Sequence, residues 1–292
     1  MNFTGMNCSS KNFCCKICLF VVALLPLLAH SQYYYKDILS TGQINKTFER
    51  YSANKITHVT LHSFNGSTPV TEGFTCWQKV SYRPGQIITY TKTSGNGESW
   101  LTATYNDEGL LIKTVDSTGE SVSRSFYRYD IKKQLTQLRN ETAAADKSSF
   151  DTEVHNWMYN DKGKPKQMMR IKNGKDTTLI TFTPDEKGNP GEEEAFRKGV
   201  SQGRVYYYYD GKGHLTDVVR YNIKAARLLP DYMFGYEDNG ELSTMTVVPE
   251  GSSDYQKWYY KYDEDGLKLA DFCYNKKNEL QGKVEYEYKA AK

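Results

Sequence analysis

Tyr206-Tyr207-Tyr208-Tyr209-Asp210-Gly211-Lys212-Gly213-His214-Leu215-Thr216 decides how this chain is read. An aromatic run stops at an acidic, glycine-bearing turn, and an alternating run comes after it. In an extended strand Tyr207 and Tyr209 face one side, Tyr206 and Tyr208 the other. The acidic residue accepts hydrogen bonds from the turn backbone, and the glycine takes the positive φ that closes a hairpin.

Working outward, the same shape recurs as an aromatic, then Asp or Asn, then Gly four residues after the aromatic. Its copies begin at Tyr105, Tyr129, Tyr159, Pro184 (with Phe182 two residues earlier), Tyr209, Tyr236, Tyr262 and Tyr274. Subtracting positions gives spacings of 24, 30, 25, 25, 27, 26 and 12. A period near 25 is two strands and two turns; the final 12 is half a unit, which makes the hairpin the building block. Phe126-Tyr127-Arg128-Tyr129 and Tyr259-Tyr260-Lys261-Tyr262 alternate aromatic with basic residues, so one face is apolar and the other wet. The spacing of 30 marks an insertion over 141–151, read as a loop or one helical turn; 192–203 reads as a short helix or charged loop.

The runs YYDGKGHLT (208–216) and RYDIKKQLT (128–136) resemble the tyrosine-aspartate repeats of Rhs-type proteins, and such hairpins are also similar to MORN-like bacterial repeats. The resemblance covers about residues 100–288. It is degenerate: the second copy lacks the glycine and the fourth has Pro184 for the tyrosine. It implies strand and turn placement only, since so few repeats are not expected to close a shell. The repeat type also looks similar to exported proteins of Bacteroidota.

Residues 1–31 read as a secretory signal. Lys11 and Lys16 precede an apolar stretch from Ile17 to Leu28, and Ala29-His30-Ser31 offers small residues before Gln32. That apolar run is short of the ~20 residues a spanning helix takes. The expected location is therefore secreted, periplasmic or cell-surface, with no membrane insertion after cleavage. Four of the six cysteines leave with the leader. Cys76 and Cys273 remain, and because an elongated array holds its ends apart, two separate thiols are expected rather than a disulfide.

Residues 32–100 form an atypical N-terminal portion with capping character, and 101–292 the repeat region. Positions 33–52 read as a short helix or a loose arm. Strands are expected at 56–62, 74–82, 86–93 and 98–105, with turns at Asn65-Gly66 and Arg83-Pro84-Gly85. The fold class is all-β: an elongated, twisted antiparallel meander of about seventeen to nineteen strands, open or partly closed.

Composition excludes some functions. The net charge of +3 falls to about +1 without the leader, which points to neither nucleic acid nor an anionic membrane. A mean hydropathy of -0.70 with 24 tyrosines suits thin or partly solvated sheet faces. No catalytic, phosphate-loop or metal-ligand motif occurs, so no catalytic residue, metal site or cofactor is assigned. His58 and His62 lack a third ligand, and Glu192-Glu193-Glu194 reads as a solvated charge run. The aromatic surface remains. Tyr206, Tyr208, Trp100, Trp157 and Trp258 are the candidate binding residues, for a protein or glycan of the cell envelope. The leading expectation is a non-enzymatic extracytoplasmic binding or scaffold module. The alternative is a hydrolase or lyase using one sheet face on a surface polysaccharide. An outer-membrane barrel is disfavoured because the would-be lipid face is not an apolar band.

Overall fold

A computed structural model describes residues 33–292 apart from 96, 224, 250, 251 and 253. The leader and its cysteines lie outside the described residues. Among the described residues one helix, α1 (Lys36–Ala53), precedes nineteen strands. These begin β1 (Ile56–Asn65), β2 (Thr68–Pro69), β3 (Phe74–Tyr82), β4 (Gly85–Thr93), β5 (Gly97–Tyr105) and β6 (Leu111–Thr118). They continue β7 (Ser121–Tyr129), β8 (Leu135–Ala144), β9 (Phe150–Tyr159), β10 (Pro165–Lys172), β11 (Asp176–Pro184), β12 (Pro190–Arg197) and β13 (Val200–Tyr209). The last are β14 (Leu215–Asn222), β15 (Arg227–Tyr236), β16 (Leu242–Val247), β17 (Gln256–Tyr262), β18 (Lys268–Asn275) and β19 (Leu280–Ala290).

All neighbours pair antiparallel, and β1 pairs with β19 from Ile56–Ala290 to Asn65–Gly282. That pairing closes the sheet, which corrects the expectation of an open or partly closed one. The two-residue β2 touches β1 alone, so nineteen strands less one leave an eighteen-stranded barrel. Closure removes both exposed edges of the meander. Neither candidate helix is helical: β12 and β13 take up 192–203, and the insertion at 141–151 is the longer ends of β8 and β9 around a loop at 145–149, which is the loop alternative of its reading.

Seven of the eight repeat turns are built alike; in the copy after Tyr236 the first position is Glu237, and Asn239 accepts the Glu241 N–H instead. Asp210 Oδ1 accepts the N–H groups of Lys212 and His214, both at 2.8 Å. Asn106, Asp130, Asn160, Asp185, Asp263 and Asn275 accept from residues two and four ahead in the same way. Where the glycine is missing, Lys133 and Asn278 are themselves held at φ 62°. A one-residue register shift accompanies each turn, as between Tyr208 and Tyr209. The shift turns the tyrosine and the first residue of the next strand, Leu215, both inward.

These tyrosines form a ring of hydrogen bonds at one rim. Tyr129, Tyr159, Tyr209, Tyr236, Tyr262 and Tyr288 donate to the carbonyls of Leu111, Leu135, Pro190, Leu215, Leu242 and Lys268, at 2.7 to 3.1 Å. Each acceptor is the first residue of the preceding strand. The hydroxyl therefore satisfies a carbonyl where the ladder begins, worth about 1 kcal/mol apiece. The half-unit copy at Tyr274 lies at the opposite rim, and its ring packs outside against Tyr259 at 5.5 Å.

Eighteen strands enclose a space wide enough in other barrels for a water channel. Here α1 lies in it. Phe48 stacks on Tyr105 at 3.8 Å, and Tyr51 meets Tyr288. They belong to one apolar cluster with Val59, Val80, Leu111 and Val284. At the other end Tyr33 joins Trp157, Met168, Ile180, Tyr207 and Val218 in a second. The helix itself is polar nearly all round, with Asp37 in its first turn and Arg50 in its last, each complementing the helix dipole. Such a helix draws its stability from what surrounds it.

Candidate functional site

The densest polar chemistry joins α1 to the barrel wall. In β9, Glu153, His155 and Trp157 fall on the inward face, two residues apart. His155 Nδ1 donates to Asp37 Oδ2 at 2.6 Å, and its Nε2 to Glu153 Oε1 at 2.9 Å. Arg170 of β10 holds the second Glu153 oxygen at 2.5 Å. Burial alone would lower the His155 pKa, but the Asp37 and Glu153 carboxylates outweigh it and raise it to about 9. Burial likewise opposes the Glu153 charge, yet His155 and Arg170 bring its carboxyl down to about 2. At neutral pH the imidazolium is thus a charged link between helix and wall.

Glu193 of β12 makes a second link. It is 2 % exposed and accepts the N–H groups of Tyr34 and Tyr35, at 2.9 to 3.0 Å, and the Tyr207 hydroxyl at 2.6 Å. Burial pushes its carboxyl pKa up against the pull of these donors. By sequence this residue belongs to a solvated charge run, and the structure corrects that. A third link ties Lys46, at 2.6 Å, and Arg50 to Glu241 beside β16. Asn45 accepts the Leu111 N–H at 2.8 Å, and Tyr51 donates to Gln78 at 3.0 Å. The helix is held from widely separated parts of the circumference.

This network ties the fold together and does not poise a reaction. Both His155 nitrogens are committed to carboxylates, so neither is open to take a proton from a substrate. Glu153 and Glu193 spend their oxygens on internal donors.

The aromatic candidates divide between the two faces. Trp157 and Trp258, each 4 % exposed, point into the lumen and cannot meet an external ligand. Trp157 packs on Phe182 at 5.6 Å, and Trp258 sits with Cys273. Tyr206 and Tyr208 lie on the outer wall, Tyr208 48 % exposed, while Tyr207 is buried. Trp100 is also outside, 43 % exposed, against Tyr90 at 4.7 Å and Trp77 at 5.7 Å. The candidates therefore do not form one site. Cys76 and Cys273 are buried in β3 and β18 and form no disulfide. Barrel closure leaves β19 and β1 between them, so it is strand order, not the length of an array, that separates them.

No family profile matches the chain. It is 26 % identical over 192 residues to the tRNA3(Ser)-specific nuclease WapA of Bacillus spizizenii, matching 66 % of this chain and 7 % of that protein. Among solved structures it is similar to a porin-like protein from Bacteroides uniformis (TM-score 0.41, 10 % identity, 80 % of this chain and 98 % of that one). The Photorhabdus luminescens Tc holotoxin pore is also similar (TM-score 0.29, 12 % identity, 67 % of this chain and 12 % of that one). The chain spans a small fraction of the nuclease and the structural scores are low, so its function is to be sought in the geometry of its own barrel.

Proposed function

We propose that this chain is a water-facing, self-filled β-barrel: a non-enzymatic extracytoplasmic module whose outer wall serves binding or scaffolding. The observation that carries it is sidedness. The outer wall bears ion pairs along its strands: Arg139–Glu141 at 2.6 Å, Arg204–Glu194 at 3.1 Å, Lys92–Glu98 at 2.9 Å and Lys283–Glu285 at 2.6 Å. Lys or Arg on the lipid face of a barrel costs about 2–4 kcal/mol near the bilayer midplane. A lipid-facing wall would carry an apolar band where these pairs stand. Among the described residues the lumen, filled by α1 and tyrosines, offers no pore, and its histidine offers no free base. The export half of the reading rests on the leader-like residues 1–31.

The test is to produce residues 32–292 without detergent. A monodisperse protein that stays at the bottom of a liposome flotation gradient is the expected result. A requirement for detergent, or flotation with the vesicles, overturns the reading.

A further inference from the structure

The three links account for most of the charge inside the barrel, but Arg220 enters none of them. It stands on the inward face of β14, opposite Val205 of β13 and Leu229 of β15. A register shift beside Val218 leaves Asp231 as an extra residue of β15, and the bulge brings its Oδ2 to 2.7 Å from Arg220 Nε. That oxygen lies off the line of the N–H. Nε and Nη2 are both closed to solvent, and neither N–H meets an acceptor at hydrogen-bond geometry. Leaving such donors unpaired is costly. These two nitrogens form one edge of the guanidinium, where parallel N–H groups match the two oxygens of a carboxylate or phosphate.

Two groups at the start of α1 converge on the same place. Tyr33, 8 % exposed, packs between Tyr207 at 6.1 Å and Tyr232 at 5.5 Å. Burial raises its hydroxyl pKa, and the nearby Arg220 charge pulls against that rise. Lys36 follows three residues later, one turn on. Burial lowers its ammonium pKa and Arg220 adds to the fall, while Asp37, Glu153 and Glu193 oppose it. Those last two carboxylates are already spent: Glu153 on His155 and Arg170, Glu193 on Tyr34, Tyr35 and Tyr207. This side of the lumen therefore has cationic donors to spare. Arg220 lies two residues before the end of β14 and keeps 23 % of its side chain exposed, so small solutes reach it from the rim opposite the repeat turns.

We propose that Arg220, with Lys36 and the Tyr33 hydroxyl, binds one small oxyanion inside the barrel, a carboxylate or a phosphate group. Its oxygens lie against Nε and Nη2 of Arg220, and the Lys36 ammonium supplies the second positive charge. The bound anion bridges the start of α1 to β14 as a fourth link. The outer wall plays no part in it.

The experiment is isothermal titration calorimetry of residues 32–292 with sodium phosphate and, separately, sodium acetate, at neutral pH and constant ionic strength. Saturable binding of at least one, with a Kd of about 1 mM or tighter, is expected. Arg220→Gln and Lys36→Gln should each weaken it at least about tenfold. Arg220→Lys, which keeps the charge and loses the fork, should weaken it nearly as much as Arg220→Gln. Arg139→Gln, on the outer wall, should leave it unchanged. Urea unfolding confirms that each variant folds; if Arg220→Gln does not, Lys36→Gln decides. Binding of phosphate alone identifies a phosphate group as the ligand, and binding of acetate a carboxylate. No saturable binding of either anion, or affinity unchanged in these lumen variants, overturns the proposal. A protein that floats with vesicles yet binds phosphate refutes the water-facing reading and leaves this inference standing.

Discussion

The His155 link makes the fold sensitive to alkali, in a way that can be measured. The imidazole pKa rises from 6.5 to about 9 on folding. Each unit is about 1.36 kcal/mol, so the charged form contributes about 3 kcal/mol. A raised folded pKa means the contribution is complete below the unfolded value of 6.5 and fades as pH climbs through about 9. Urea unfolding followed by tryptophan fluorescence, from about pH 6.5 to about 9.5, should show stability falling by that amount relative to His155→Gln. Taking the difference between wild type and variant cancels the tyrosines and lysines that titrate above this window. The variant should start lower at neutral pH, by about 3–5 kcal/mol, because Asp37 and Glu153 lose their partner inside the barrel. Parallel stability curves for the two proteins would refute the claim that the histidine is charged in the fold.

Three further outcomes rest on the repeat geometry and the lumen. Tyr159→Phe strips the donor from the Leu135 carbonyl and should cost about 1 kcal/mol in urea unfolding. Combined with Tyr262→Phe, on a distant repeat, the losses should add; strong non-additivity would mean the ring acts as a single coupled belt. Lys133→Gly relieves a side chain held at φ 62°. A penalty of about 1–2 kcal/mol for that conformation, less about 0.5–1 kcal/mol of glycine entropy, predicts a net gain of about 0.5–1 kcal/mol. Unchanged or lowered stability would contradict it. In residues 32–292, Cys76 and Cys273 should resist a thiol reagent until urea is added, burial having raised the Cys273 thiol to about 12. Rapid native labelling, or a disulfide-linked band after oxidation, would count against the buried assignment.

Much of the barrel was legible because one turn recurs. Asp210 and its relatives place the strands, and the turn bonds come from residue type. Closure was not legible. It depends on β1 meeting β19 across the whole chain, and no local pattern encodes which strand an edge finds. The inward register, by contrast, lay within reach. Counting back in twos from Tyr159 passes Trp157, His155 and Glu153; from Tyr262 it passes Tyr260 and Trp258. Alternation alone therefore places both tryptophans inside once the repeat tyrosine is known to face inward. What hid this was the hydroxyl. A tyrosine reads equally well as a surface residue until its donation to a strand-end carbonyl is seen. Asp37 and Glu193 were hidden for a different reason. A carboxylate looks solvated in sequence, and only a partner from a distant segment makes its burial tolerable.

The helix explains how a hydrophilic sequence sustains so wide a barrel. Hairpins pair with their neighbours, and closing the ring satisfies the last strand edges, yet neither step fills the middle. A ring of eighteen strands lined only by Val, Leu and Tyr would enclose water against apolar walls, and the hydrophobic effect would favour its collapse. The segment before β1 supplies the missing volume. Because α1 leads directly into β1, which pairs with β19, it is anchored at the seam of the barrel and reaches across to β9, β12 and β13. Its polar character has the same origin. An apolar helix there would gain burial but no direction, whereas Asp37, Lys46 and Arg50 meet charges on particular strands and Tyr34 meets Glu193. Each link is a buried charge that makes sense only with its partner present, so together they fix where the helix lies as well as hold it in place.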